Sequence, residues 1–181
     1  MSVECKNRLE VQTILRANIL EGLKQLHKDG DGWGVMEFAN ASFQKHDRII
    51  LMNLIRAERV GWQSQRYGGA DAFHRTDEWI EQQSWQLHVI LKRTNDTEDT
   101  AFLAEDMCQQ LITWFNGPGC DFFRRHGMAN LVIDTENILV YNDNSDLYQK
   151  RCVFTVKIQV PKELTFGCDE LEAIKPDIMP V

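Results

Sequence analysis

The stretch "RCVFTVKIQV" places Cys152, Phe154, Val156, Ile158 and Val160 on one side of an extended chain, with mostly polar residues between them. Strict alternation of this kind marks a β-strand with one buried face. The stretch "SWQLHVIL" behaves alike: Trp85, Leu87, Val89 and Leu91 alternate with Ser84, Gln86, His88 and Ile90. Two such strands need an apolar layer against one side, and the rest of the chain must supply it.

Two segments can do so. Residues 4 to 28 carry Leu9, Ile14, Leu15, Ile19, Leu20, Leu23 and Leu26, mostly at three- and four-residue spacing, with glycines 30, 32 and 34 beyond. That spacing predicts an amphipathic helix ended by glycine. Ala101, Ala104, Met107, Cys108, Leu111 and Phe115 predict a second, started by the polar "RTNDTEDT" and closed by Asn116-Gly117-Pro118. A short helical turn through "CDFFRRHG" follows. "VMEFANASF" and "DRIILMNLIRAERVGW" read as extended, with turn chemistry around Lys45 to Asp47. "ANLVIDTENILVYN" leads through "DNSD" into the last strand, which Pro161 is expected to end.

The order predicts an α+β fold: a mainly antiparallel sheet, two amphipathic helices on one face, and an extended hairpin arm at about residues 62 to 79. Leu15, Leu87, Leu111 and Phe154 are the expected core. A chain of 181 residues suits a single domain, here residues 1 to 166, with an acidic tail over 167 to 181. The densest apolar run, "IILMNLI", is far below the roughly 20 residues of a membrane helix. The opening "MSVECKNRLE" lacks a secretory apolar segment. Cysteines 5, 108, 120, 152 and 168 are odd in number and scattered, which fits reduced thiols and neither a disulfide framework nor a zinc site. With 20 basic residues against 27 acidic ones, the net charge of −7 argues against a grip on DNA.

Three constellations invite a chemical reading. In "DGDGWG", Asp29, Asp31 and Gly34 match a calcium loop, but Trp33 and Asn40 stand where oxygen ligands are required. A helix end and turn is the better reading. His74 has Asp71, Asp77 and Glu78 nearby, yet the segment is polar and glycine-rich, which favours a surface imidazole over a tuned base. Gly68-Gly69 opens no helix and lacks the phosphate-binding pattern. The sequence therefore predicts no catalytic residue, no metal and no cofactor. His27, His46 and His126 lie among polar residues, and His88 is placed on the polar side of its strand.

The remaining feature is "WQSQRYGGADAFHRTDEW". Trp62, Tyr67, Phe73 and Trp79 stand there among Gln, Ser, Arg and His, with Trp85 beyond in the strand. Aromatics and arginine set among uncharged polar residues are typical of protein interfaces. Stacking on single-stranded bases competes, but the acidic balance weakens it. Arg66, Tyr67, Gly68, Gly69, Phe73, His74, Arg75 and Trp79 are the expected subunit contacts, with the glycine pair making a tight reversal.

The opening helix, the long Trp-containing polar strand, the helix "TAFLAEDMCQQLITWF" and the final strands running into "VKIQVPKELTF" resemble the tail-terminator (neck) proteins of long-tailed bacteriophages. The similarity is strongest over residues 79 to 166. The resemblance implies a non-enzymatic virion protein, assembled in the host cytoplasm, whose homohexameric ring caps the tail tube and joins it to head–tail connector proteins. Genome DNA would pass through the ring without specific binding. The rivals are another ring-forming virion part (head-completion, tube or baseplate adaptor) and a small cytosolic enzyme using His74 with Asp71 or Asp77.

Overall fold

A computed structural model describes residues 6–26, 32–37, 48–68, 74–91, 100–133, 139–142 and 148–167. The elements run α1 (Arg8–Leu26), β1 (Trp33–Glu37), β2 (Arg48–Gly68), β3 (His74–Leu91), α2 (Thr100–Asn116), α3 (Pro118–Arg125), β4 (Ala129–Ile133), β5 (Leu139–Asn142) and β6 (Tyr148–Gly167). They form an α+β fold with one six-stranded sheet, ordered β1-β2-β3-β6-β4, with β5 also on β6. The pairing is antiparallel except for β1, which runs parallel to β2 from Trp33↔Arg48 to Glu37↔Met52. The acidic tail from 168, the acidic loop positions Asp29 and Asp31, Asn40, and the turns at Lys45–Asp47 and "DNSD" lie outside the described residues.

Helix α1 starts later than the hydrophobic pattern suggested, because Asn7 and Glu10 form a capping box. Asn7 Oδ1 accepts the Glu10 N–H at 2.9 Å, and the Asn7 N–H donates to the Glu10 carboxylate at 2.6 Å. The buried stripe is Val11, Leu15, Asn18, Ile19, Gly22 and Leu23. Leu9, expected in that stripe, is 69% exposed. At about 100° per residue it sits some 120° around the helix from Leu15.

Three helices are joined at Trp114 of α2. Its indole Nε1–H donates to Asn18 Oδ1 of α1 at 2.8 Å, while Asn18 Nδ2 donates to the Gly119 carbonyl of α3 at 2.9 Å. A Cβ added at Gly22 or Gly119 would lie 2.9 or 2.7 Å from the indole, so both glycines are there for close approach. Pro118 stands in the first turn of α3, and Gly127 (φ +68°) ends that helix with N–H bonds from Gly127 to Arg124 O and from Met128 to Phe123 O. Phe115 then stacks on Phe123 at 6.0 Å and meets Phe154 of β6 at 6.2 Å, seating the helices on the sheet.

Leu15, Leu87, Leu111 and Phe154 are each 0% exposed, as the alternation and helical spacing predicted. Three readings need correction. The second face of β3 is not polar and open: Ile90 joins Ile49 and Leu51 in a separate cluster, and Ser84 and His88 are buried. "ANLVIDTENILVYN" is not one strand but two short ones on β6, with residues 134–138 outside the described set. Pro161 does not end β6, which continues to Gly167 opposite β3. β4 leaves β6 at Gln159, so Pro161 falls where β6 has only β3 beside it, a position where a missing N–H is tolerated.

The packing at Trp114 yields a test. Gly22→Ala should lower stability by roughly 1–3 kcal/mol through overpacking. Lys24→Ala, on the exposed side of the same helix, should stay within about 0.5 kcal/mol. Chemical denaturation midpoints compare the two directly.

Candidate assembly interface

Strands β2, β3 and β6 have 21, 18 and 20 residues, so each spans about 60–70 Å. The 19-residue α1 and 17-residue α2 reach only about 28 and 26 Å. The helical layer cannot cover such strands. On the helix-facing side of β3, Val89, Leu87 and Trp85 are buried, whereas Glu81, Trp79 and Arg75 are only half-buried, with Asp77 between the last two buried under Arg75. Gln83 marks the boundary: its Oε1 accepts Trp85 Nε1–H at 3.1 Å, and its Nε2 donates to Glu81 at 2.7 Å.

Beyond that boundary the sheet continues as an arm. It has three strands, not two: β3 pairs with β2 out to Gly68↔His74 and with β6 out to His74↔Gly167. The third strand comes from the same chain, so no neighbouring subunit is required to order the hairpin. Gly68 is an ordinary strand residue opposite His74, so it does not take part in a tight reversal as the glycine pair suggested. Gly69, Asp71 and Phe73 fall outside the described residues.

Two bulges shape β2. Register skips between Leu54 and Arg56, leaving Ile55 extra, and again between Val60 and Ser64, where Gly61 takes φ +78°. Such insertions bend and twist a strand and mark an edge that resists further pairing. The isolated glycine of "RVGWQS" carried that signal in the sequence. Pro161, read as a stop, was the matching edge signal on β6.

The expected contact residues divide between two faces, because successive strand residues point to opposite sides. On the helix side, Arg75 grips Asp77 through Nε at 2.7 Å and a terminal nitrogen at 3.0 Å. Arg59 lies 4.5 Å over the Trp79 ring, and Tyr67 is 51% exposed. The buried Lys162 donates to the backbone carbonyl of Lys6, tying the arm to the start of α1. On the other face, Arg66 pairs with Glu78, which also accepts the Ser64 hydroxyl at 3.0 Å, and Thr76 meets Thr165 at 3.1 Å.

His74 and Asp77 lie three residues apart on an unbroken strand, so their side chains point to opposite faces. Asp77 is engaged by Arg75, and the imidazole lies beside Gly68, 3.5 Å from where a Cβ would stand there. An acid/base pair of these two is not assembled. Among the described residues, no group of three or more His, Cys, Asp or Glu is placed to hold a metal ion. A hollow of about 410 Å³ between α1 and the sheet is lined by Leu9, Met52, Leu54 and Trp85, with Arg8 and Glu37 its charged residues. No helix among the described residues is long and apolar enough to cross a membrane.

Four of the seven large exposed apolar residues among the described ones, Ile55, Tyr67, Ile80 and Leu164, lie on the arm or its root. That concentration outside the core is the strongest local sign of a contact surface. No protein-family model matches the chain, and no curated protein matches it significantly.

The Arg66–Glu78 pair lies at the solvent-facing surface of the arm and adds little to folding. Arg66→Ala should change unfolding stability by no more than about 1 kcal/mol. A larger loss, read from a thermal or denaturant melt of the dilute protein, would mean that the pair holds the fold itself.

Proposed function

We propose that this chain is a structural virion protein of the tail-terminator kind, which forms a ring through its three-stranded arm and caps a tail tube. The observation that carries the reading is the arm itself. It extends past any helical cover, keeps its own register, and displays apolar and aromatic side chains among charge pairs. A surface organised in this way suits association between folded subunits, since little must be ordered on binding. The resemblance of residues 79 to 166 to neck proteins supports the same reading, and the net charge of −7 suits a channel that DNA crosses without sticking. The tube and the head–tail connector proteins are the proposed partners, with a hexamer as the proposed ring.

Removing Arg66 through Arg75 and joining Gln65 to Thr76 with two glycines tests the reading. The shortened hairpin retains Gln65↔Asp77 and the inner pairs, so the monomer should fold with an unchanged circular dichroism spectrum. Ring formation in solution or capping of tail tubes under the electron microscope should be lost. Normal rings together with normal capping by the shortened chain would overturn the role of the arm. The intact protein should also bind duplex DNA weakly or not at all at physiological salt; sub-micromolar affinity there would contradict a passive channel.

A further inference from the structure

The face of the arm away from the helices carries a row of apolar side chains in direct register across all three strands. Val60 of β2 stands opposite Ile80 of β3, which stands opposite Pro161 of β6. Ile80 is 43% exposed and Pro161 is exposed. One step along the same face, Glu78 stands directly opposite Glu163. Like charges so placed repel across a sheet. Arg66 and Ser64 serve Glu78, while no ion pair or hydrogen bond within the described residues reaches Glu163. Ser64, Glu78, Ile80, Pro161 and Glu163 line a shallow groove of about 330 Å³ together with Trp79 and Lys162, whose ammonium is taken up by the Lys6 carbonyl. This groove has an apolar floor and, in Glu163, one carboxylate with no cation partner among the described residues.

The complementary chemistry lies on α3. Phe122, Arg125 and His126 share one side of that helix at three- and four-residue spacing. Phe122 stacks on His126 at 4.7 Å, and the Arg125 guanidinium sits 5.5 Å over the Phe122 ring. Arg124 is paired with Asp121, whereas Arg125 is exposed with no carboxylate partner among the described residues. The knob is cationic and aromatic, and α3 packs on the helix side of the sheet against α1, α2 and β4. The groove is on the opposite side of the arm, so knob and groove cannot meet within one molecule.

Resting on the ring reading above, we infer that the arm groove receives the Phe122–Arg125 knob of a second copy of this chain, with Arg125 meeting Glu163. Knob and groove are different patches, so the contact is heterologous and each copy has one of each to offer. Repetition of such a contact closes into a ring when its rotation permits. Arginine suits the site because its planar head stacks on an aromatic ring while its N–H groups reach a carboxylate. The apolar row gives Phe122 a surface to cover, and the charge pair fixes the register of one copy on the next.

A charge swap on the full chain tests this. Glu163→Arg and Arg125→Glu each place like charges in the contact and should each raise the concentration for half-assembly by about tenfold or more. The double variant restores the pair and the net charge, and should assemble close to the parent. Light scattering after size exclusion reads assembly, and circular dichroism melts check that every variant is folded. Single variants that assemble like the parent, or a double variant no better than the singles, overturn the contact while leaving the ring reading standing. Loss of tube capping by Glu163→Arg with self-assembly intact would assign the groove to the tube protein and likewise overturn it. A parent chain that stays monomeric with and without tail tubes overturns both.

Discussion

The indole of Trp114, held between Gly22 and Gly119 and hydrogen-bonded to Asn18, fixes three helices into one layer. A buried indole N–H left unpaired would cost about 1–3 kcal/mol, and Asn18 satisfies it while also meeting the Gly119 carbonyl. Because both contacts are made by one asparagine of α1, a shift of that helix breaks its bonds to α2 and α3 together. Phe115, next to Trp114, then faces Phe123 and Phe154 and carries the layer onto the sheet. The buried alternation of β3 and β6 depends on that layer for its cover.

The layer also sets the limit of the core. Helices of about 26–28 Å cannot shield strands of about 60–70 Å, so the excess must be stable with solvent on it. The outer sheet meets this with cross-strand polar pairs, a cation over Trp79, and β3 held on both sides by strands of its own chain. Its edges carry two bulges and a proline, which discourage strand addition. Association of the arm is therefore directed to its faces and side chains. That is why a knob-and-groove contact fits the molecule better than a continued ladder.

Much of the fold was legible in the sequence where the hydrophobic period was unambiguous. The alternation of Cys152 to Val160 and the spacing of Ala104 to Phe115 located the core strand and α2 correctly. The Trp114 junction was not legible, because a glycine in a helix and an asparagine in an apolar stripe read as defects until their spatial neighbours are known. Pro161 misled for a related reason. It is a breaker inside a strand, but whether it stops or merely edges that strand depends on the neighbouring strands. Of the expected contacts, Arg66, Tyr67, Gly68, His74, Arg75 and Trp79 do fall on one hairpin. Their division between two faces required the register, as did the recognition that β6 completes the arm.

The central claim is that the arm is a contact surface this chain presents to other copies of itself, where it receives the α3 knob of the next copy. Amide hydrogen exchange, followed by mass spectrometry on dilute monomer and on assembled protein, tests it most directly. Amides of Leu87–Ile90 and Phe154–Ile158 lie in the core and should exchange slowly in both states. Peptides covering residues 58–68, 76–82 and 160–167 should exchange faster in the monomer and gain protection on assembly. New protection confined to the helices with none on the arm, or an arm as protected in the dilute monomer as in the assembly, would contradict the account.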